Sequence, residues 1–190
     1  FIVARMQGSS AALDFREVAP LAATRDMYLD SAGNVTEKSL VGALAAGVPG
    51  SVAGLWEFHR KYGTKPWREL LRPAIALADT GFITDRAFVE DLHYDSAKLA
   101  RFPASAALFI PGGKLVPVGV RWRAPELAAT LRRIAEQGRD GFYKGETAKL
   151  IVAEMKRSGG IISLEDSRRY QPLWRAPVEY TYRGHRVVAM

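Results

Sequence analysis

The sequence predicts an α+β domain, and three observations carry that expectation. Segments rich in β-branched residues stand at both ends. Between them lie several stretches with helical apolar spacing, each punctuated by Gly or Pro. Strands and helices therefore segregate along the chain instead of alternating regularly, the pattern of an α+β fold. No repeat or low-complexity linker divides the 190 residues, a length usual for one domain, so no internal boundary is expected.

"FIVARMQGSSAALDF" reads as two strands around a turn at Gly8-Ser9-Ser10. After Pro20, "LAATRDMYLDSAGNVTEKSL" reads as a polar connection turning at Asp30, Gly33 and Asn34. A first helix is expected to start near Ser51, after Pro49-Gly50, and to stop at Gly63. A second occupies "TKPWRELLRPAIALADTGF". There Pro66 suits the first turn, Leu70, Leu71, Ala74, Leu77 and Ala78 form the apolar face, Pro73 bends the helix and Gly81 ends it. "TDRAFVEDLHYDSAKLARF" is a third helical stretch, and "LFIPGGKLVPVGVRW" reads as short extended pieces around Gly112-Gly113. Further helices are expected over 125–137, lined by Leu127, Leu131, Ile134 and Ala135, and over about 145–158, lined by Ala148, Ile151, Val152 and Met155. Gly159-Gly160 stops the latter. "SLED" at 163–166 resembles a capping box, and "VEYTYRGHRVVAM" is a strand pair around Arg183-Gly184.

Composition narrows the function classes. The chain is 48% hydrophobic and 25% charged, enough apolar material for a core without a covalent or metal staple. It has no cysteine, which excludes disulfides, zinc–thiolate sites, iron–sulfur clusters and thiol nucleophiles but does not locate the protein. No apolar run approaches the roughly 20 residues of a membrane span, so no span is expected in this segment. Phe1 opens directly on a strand-like run and "RGHRVVAM" stops inside one, so the sequence reads as a piece of a longer chain. The net charge is 27 − 20 = +7. The basic residues come as scattered pairs (Arg132–Arg133, Lys156–Arg157, Arg168–Arg169) with acids nearby, not as a tract, and nucleic acid is not an expected partner.

Self-contained catalytic machinery is absent from the pattern. His59, His93 and His185 show no metal-ligand spacing and read as structural or solvated, the first two on helix surfaces. There is no nucleophile elbow, P-loop or dinucleotide fingerprint, so no cofactor, no metal and no catalytic residue is expected in this chain. "GVPGSVAG" could offer backbone N–H groups to an anion, and close helix-on-sheet packing explains its glycines equally well. Glu90–Asp91 and Glu165–Asp166 read as solvated faces or caps. That leaves "DFRE". Strand alternation puts Asp14 and Arg16 on one face and Phe15 and Glu17 on the other, so Asp14 could orient the Arg16 guanidinium. A guanidinium held that way suits a bidentate grip on a carboxylate. A surface ion pair is the competing reading, and the local pattern leaves both open.

Taken together, "DFREVAP", "ATRDMYLD", "GVPGSVAGLWEFHRKYG", "RPAIALADTGF", "DGFYKGETAKLIVAEMKRSGGIISLEDSRRYQP" and "YRGHRVVAM" resemble the gamma-glutamyltransferases (gamma-glutamyltranspeptidases), specifically part of their large subunit. The resemblance implies an αββα N-terminal-nucleophile hydrolase fold and a precursor that cuts itself into large and small subunits. The small subunit's new N-terminal threonine would attack the γ-glutamyl amide of glutathione or a related compound. Water or an amino acid or peptide acceptor would then take the glutamyl group. Within the family's D-x-R-E-x-A-P motif, the arginine that binds the glutamyl α-carboxylate falls on Arg16. The nucleophile lies on the small subunit, outside this chain. The same resemblance implies export, to the periplasm or the cell exterior. Two alternatives stay open: an acylase of the cephalosporin acylase type, and a non-catalytic binding protein derived from the fold. The first residue of the small subunit separates enzyme from binder.

Overall fold

The computed structural model describes residues 1–6 and 8–190. Strands β1 (Ile2–Met6) and β2 (Ser9–Asp14) pair antiparallel from Ile2↔Leu13 to Met6↔Ser9. Ser9 and Ser10 therefore belong to the strand, not to the turn expected there. Gly8, just before Ser9, takes a positive φ of 83°, as a tight turn favours in glycine. Residue 7, also within the hairpin reading, lies outside the described residues.

A third strand, which the sequence reading passed over, completes the sheet. β5 (Leu173–Arg175) pairs antiparallel with the other edge of β2, Ala12 opposite Arg175 and Asp14 opposite Leu173. Three residues are too few to show alternation. Its presence makes β2 the central strand of the order β1-β2-β5. Ala12 and Leu13, on opposite faces, are both 0% exposed. The fold is α+β, as the sequence predicts.

The chain groups into two compact units, Phe1–Trp67 with Arg133–Met190, and Arg68–Arg132. In the first unit, helix α1 (Ser51–Tyr62) starts and stops as expected, Gly63 closing it. Helix α8 (Gly145–Ser158) ends at Gly159 in the left-handed region. A one-turn helix, α7 (Asp140–Tyr143), was not foreseen, yet its Tyr143 is among the largest fully buried side chains. It joins Val48, Ala53, Ile162 and Tyr170 in the core. "SLED" forms a true capping box at the start of α9 (Leu164–Arg169), with Ser163 and Asp166 each accepting from the other's backbone. The hairpin of β6 (Val178–Tyr182) and β7 (His185–Ala189) turns at Arg183 and Gly184, both at positive φ. Trp174 on β5 ties the sheet to α1. Its indole N–H donates to Glu57 at 3.1 Å, and the Lys61 ammonium lies 3.9 Å from its ring. His59 is not a surface group: it is half-buried against Trp56 and Trp67, with Nε2 2.8 Å from the Lys65 carbonyl.

Helix α2 (Trp67–Thr80) follows Pro66 and yields to Gly81 at φ 81°. Its expected apolar face is only partly used: Ala78 is buried, whereas Leu70 and Leu77 are 49% and 56% exposed. In the second unit the third helical stretch is three helices: α3 (Arg86–Tyr94), capped by Asp85, α4 (Ser96–Ala100) and α5 (Pro103–Phe109). Leu108 and Phe109 are thus helical, not extended, after a Pro at the first helical position, a start signal the reading missed. β3 (Phe82–Ile83) and β4 (Arg121–Trp122) bring Phe82, Phe88, Phe109 and Trp122 into one aromatic cluster. Helix α6 (Pro125–Gln137) has the expected bounds but turns Ala128 inward and leaves Leu127 51% exposed. Close approach is easier over the smaller side chain. No helix among the described residues is long and apolar enough to cross a membrane.

Candidate functional site

At Asp14 the β-ladder ends, and so does the alternation that would have placed Asp14 beside the Arg16 side chain. Asp14 instead spans two partners. Its Oδ2 accepts from Arg175 Nε at 2.8 Å, and its Oδ1 accepts the backbone N–H of Arg16 at 3.0 Å. Arg175 pairs across from Ala12, so it reaches Asp14 diagonally on one sheet face. The Arg16 N–H, then the Arg175 guanidinium, hold the Asp14 carboxyl below the usual carboxylate range. The expected Asp14–Arg16 ion pair is thus replaced, and Arg16 Nε meets Glu17 Oε1 at 3.2 Å. Glu17, expected on the opposite face, is the guanidinium's neighbour.

Beyond Asp14 the backbone is tied down residue by residue. The Arg16 carbonyl accepts the Tyr170 hydroxyl at 2.8 Å. Phe15 packs its ring on Gly54 and its carbonyl on Gly50, so closely that a Cβ at either glycine would lie 2.1 Å from a ring carbon or 2.0 Å from that oxygen. Val18 exchanges two backbone bonds with Val48. The Leu21 N–H donates to Asp166 Oδ1 at 2.6 Å. Burial pushes the Asp166 carboxyl up, but the bonds from Ser163 Oγ, from Leu21 and from the Ser163 N–H outweigh it and leave the group below its ordinary value. Asp166 is therefore no solvated cap. It joins the capping box to a segment 145 residues away.

On this fixed backbone the Arg16 side chain is 79% exposed. Among the described residues Glu17 engages Nε, which leaves the two Nη groups for an acceptor arriving from solvent. Val18 and Leu21, not Arg16, line the hollow of about 240 Å³ beside Tyr170. The arrangement can hold a planar anion end-on, and nothing in it can attack one.

The glycines of "GVPGSVAG" serve packing. The Tyr143 hydroxyl already accepts the Ala53 N–H at 3.3 Å and donates to the Pro49 carbonyl at 2.6 Å, filling the N-terminus of α1 where an anion would sit. Tyr143 stacks on Tyr170 (5.7 Å, 10°), and Arg139 lies 4.8 Å from the Tyr143 ring. Arg139 Nη2 also donates to the Tyr170 carbonyl at 2.6 Å. Arg175, Tyr170, Arg139 and Tyr143 were all missed as parts of this site. Their partners lie far along the chain, and no local spacing announces them.

Burial pushes both phenols, Tyr143 and Tyr170, up to about 12, with Asp14 and Glu17 adding to the effect at Tyr170. Unfolded phenols ionise near pH 10, so the folded state holds these protons more tightly. Their contribution is whole below about pH 10 and is lost as pH rises through 12. Denaturant titrations of the complete protein across this range should show stability falling with pH, and Tyr143→Phe should flatten that slope. An unchanged slope in the variant would remove Tyr143 as its source.

Four likenesses to known proteins bear on the chain. The family model described as gamma-glutamyltranspeptidase matches residues 1–190. A glutathione hydrolase proenzyme of Pseudomonas aeruginosa is 44% identical over 187 residues, covering 97% of this chain and 33% of that protein. The crystal structure of Helicobacter pylori gamma-glutamyltranspeptidase superposes with a TM-score of 0.97 at 42% identity, over 100% of this chain and 55% of that one. A cephalosporin acylase from Bacillus halodurans is more distant, with a TM-score of 0.85 at 27% identity over 98% of this chain and 36% of that one. The chain spans about a third of the length of the first relatives it matches.

Proposed function

Because the chain belongs to the gamma-glutamyltranspeptidase family, we propose that it is part of the large subunit of an enzyme cleaving γ-glutamyl amides. The substrates are glutathione and related compounds, and the glutamyl group passes to water or to an amino acid or peptide. One observation carries this reading to the site: an exposed guanidinium on a backbone fixed at both its N–H and its carbonyl, within "DFREVAP". Arg16 binds the donor's α-carboxylate through paired N–H···O bonds. That grip places the amide carbonyl, at the far end of the glutamyl chain, before a nucleophile supplied by the small subunit. The nucleophile is that subunit's N-terminal threonine. Its hydroxyl adds to the carbonyl, the amine leaves with a proton, and water or an acceptor amine then displaces the ester. The relatives named as proenzymes support a small subunit cut from the same precursor. Export to the periplasm or cell exterior rests on the family alone.

An acylase acting on another acyl group is the second reading, favoured by the shared architecture of the more distant cephalosporin acylase. The two part at the α-carboxylate. The complete protein is expected to hydrolyse a γ-glutamyl anilide and to lose most of that activity when the donor's α-carboxylate is amidated. Equal turnover of the two donors would remove Arg16 as a carboxylate site and favour the acylase. No amide cleavage, with a residue other than threonine or serine opening the small subunit, would favour a binding protein.

A further inference from the structure

We infer that Tyr170 is a positioning residue for Arg16, its hydroxyl holding the Arg16 carbonyl so that the guanidinium meets the donor carboxylate from a fixed origin. The inference rests on the Arg16 reading and extends it to a residue 154 positions away. Arg16 lies outside any strand or helix, so no ladder fixes its peptide groups. Two bonds do so: Asp14 takes its N–H at 3.0 Å and Tyr170 takes its carbonyl at 2.8 Å. A long side chain amplifies small backbone rotations, and a bidentate bond tolerates little misalignment.

Tyr170 is itself held on every side that matters. It is buried, its ring is stacked on Tyr143, and its own carbonyl accepts from Arg139 at 2.6 Å. Arg139 in turn lies against Tyr143, whose hydroxyl is bonded to Pro49 and Ala53. The Gly50 backbone closes the space beside the Tyr170 hydroxyl, where a Cβ would come within 2.0 Å of the oxygen. The hydroxyl therefore cannot follow a moving Arg16. A tyrosine needed only for packing would have no cause to place its oxygen on this carbonyl, and phenylalanine would fill the same volume.

The test uses Tyr170→Phe in the complete, self-processed enzyme, with a γ-glutamyl anilide and its α-amidated counterpart as donors. Loss of one hydrogen bond predicts a rise in donor KM of about three- to tenfold with kcat little changed. The same substitution should leave kcat/KM for the amidated donor at the wild-type value. In an Arg16→Ala background the KM effect should vanish. A wild-type enzyme indifferent to amidation would overturn the Arg16 reading and this inference with it. A wild-type enzyme that discriminates, beside a Tyr170→Phe enzyme with unchanged donor KM, would overturn this inference alone. So would an effect of equal size on both donors. Should Tyr170→Phe fail to fold, Arg139→Lys, one bond further out, is expected to raise KM only for the donor with a free carboxylate. An unchanged KM there would overturn the inference.

Discussion

Arg16→Ala in the complete enzyme is expected to lower kcat/KM for a γ-glutamyl donor by about 30-fold to several thousand-fold. In the free chain the guanidinium is largely in water, so the substitution costs little stability. With a donor seated, truncation leaves a desolvated carboxylate without a partner. That costs about 2–5 kcal/mol, and about 1.4 kcal/mol is tenfold. Arg16→Lys should recover only part of the loss, because an ammonium cannot make two parallel bonds to one carboxylate. Self-cleavage of the precursor should survive, since it needs the nucleophile and not the glutamyl pocket. Combining the variant with an α-amidated donor is the decisive measurement. Wild type should lose most of its activity on that donor, and Arg16→Ala little more. Losses that multiply independently would show that Arg16 does not bind the carboxylate.

Gly50→Ala is expected to destabilise the protein by at least about 3 kcal/mol, the upper end of overpacking costs. Gly50 has an ordinary backbone conformation, φ −111° and ψ −17°, so alanine suffers no torsional strain there. The cost is collision. The new Cβ would lie 2.0 Å from the Phe15 carbonyl and 2.0 Å from the Tyr170 hydroxyl, and neither can give way. Phe15 is bonded in line with Arg16, and Tyr170 is wedged between Tyr143 and Arg139. Relief at either atom moves the Arg16 backbone, so surviving enzyme should also show a raised donor KM. Gly47 is the internal comparison. A Cβ there would lie 2.8 Å from Glu17 Cγ, 3.0 Å from Glu17 Cβ and 3.3 Å from the Val18 carbonyl, so the half-exposed Glu17 chain can relieve the nearest contact by rotating, and the other two need only a few tenths of an ångström. Gly47→Ala should lower the melting temperature by clearly less than Gly50→Ala does. Equal melting temperatures for Gly50→Ala and wild type would show that helix α1 does not approach Phe15 so closely.

Most element boundaries were legible because they are decided within a few residues. Gly63, Gly81 and Gly159 stop their helices where an L side chain or a continuing ladder would be costly. Ser163 and Asp166 close a box across one turn, and Arg183-Gly184 supply the two positive φ values of a tight hairpin. Which face each helix buries was less legible. Ala78, Ile134 and Ala135 are buried as their stripes predict, yet Leu70, Leu77 and Leu127 of the same stripes are exposed, and Ala128, outside them, is buried. Periodicity gives the width of a stripe but not the side that a neighbour occupies.

The α+β class, the ends of the main helices, the capping box, the family and Arg16 as the candidate carboxylate ligand can all be read from the residues in order. How Arg16 is held depends on contacts made by folding. Asp14 turned to Arg175 across 161 residues, Tyr170 reached the Arg16 carbonyl across 154, and Asp166 reached Leu21 across 145. The physical reason is one of range. Caps, turns and strand alternation follow from steric and hydrogen-bonding constraints between near neighbours. A carboxylate at the end of a ladder, by contrast, takes whichever cation folding brings closest, and here β5 brought Arg175.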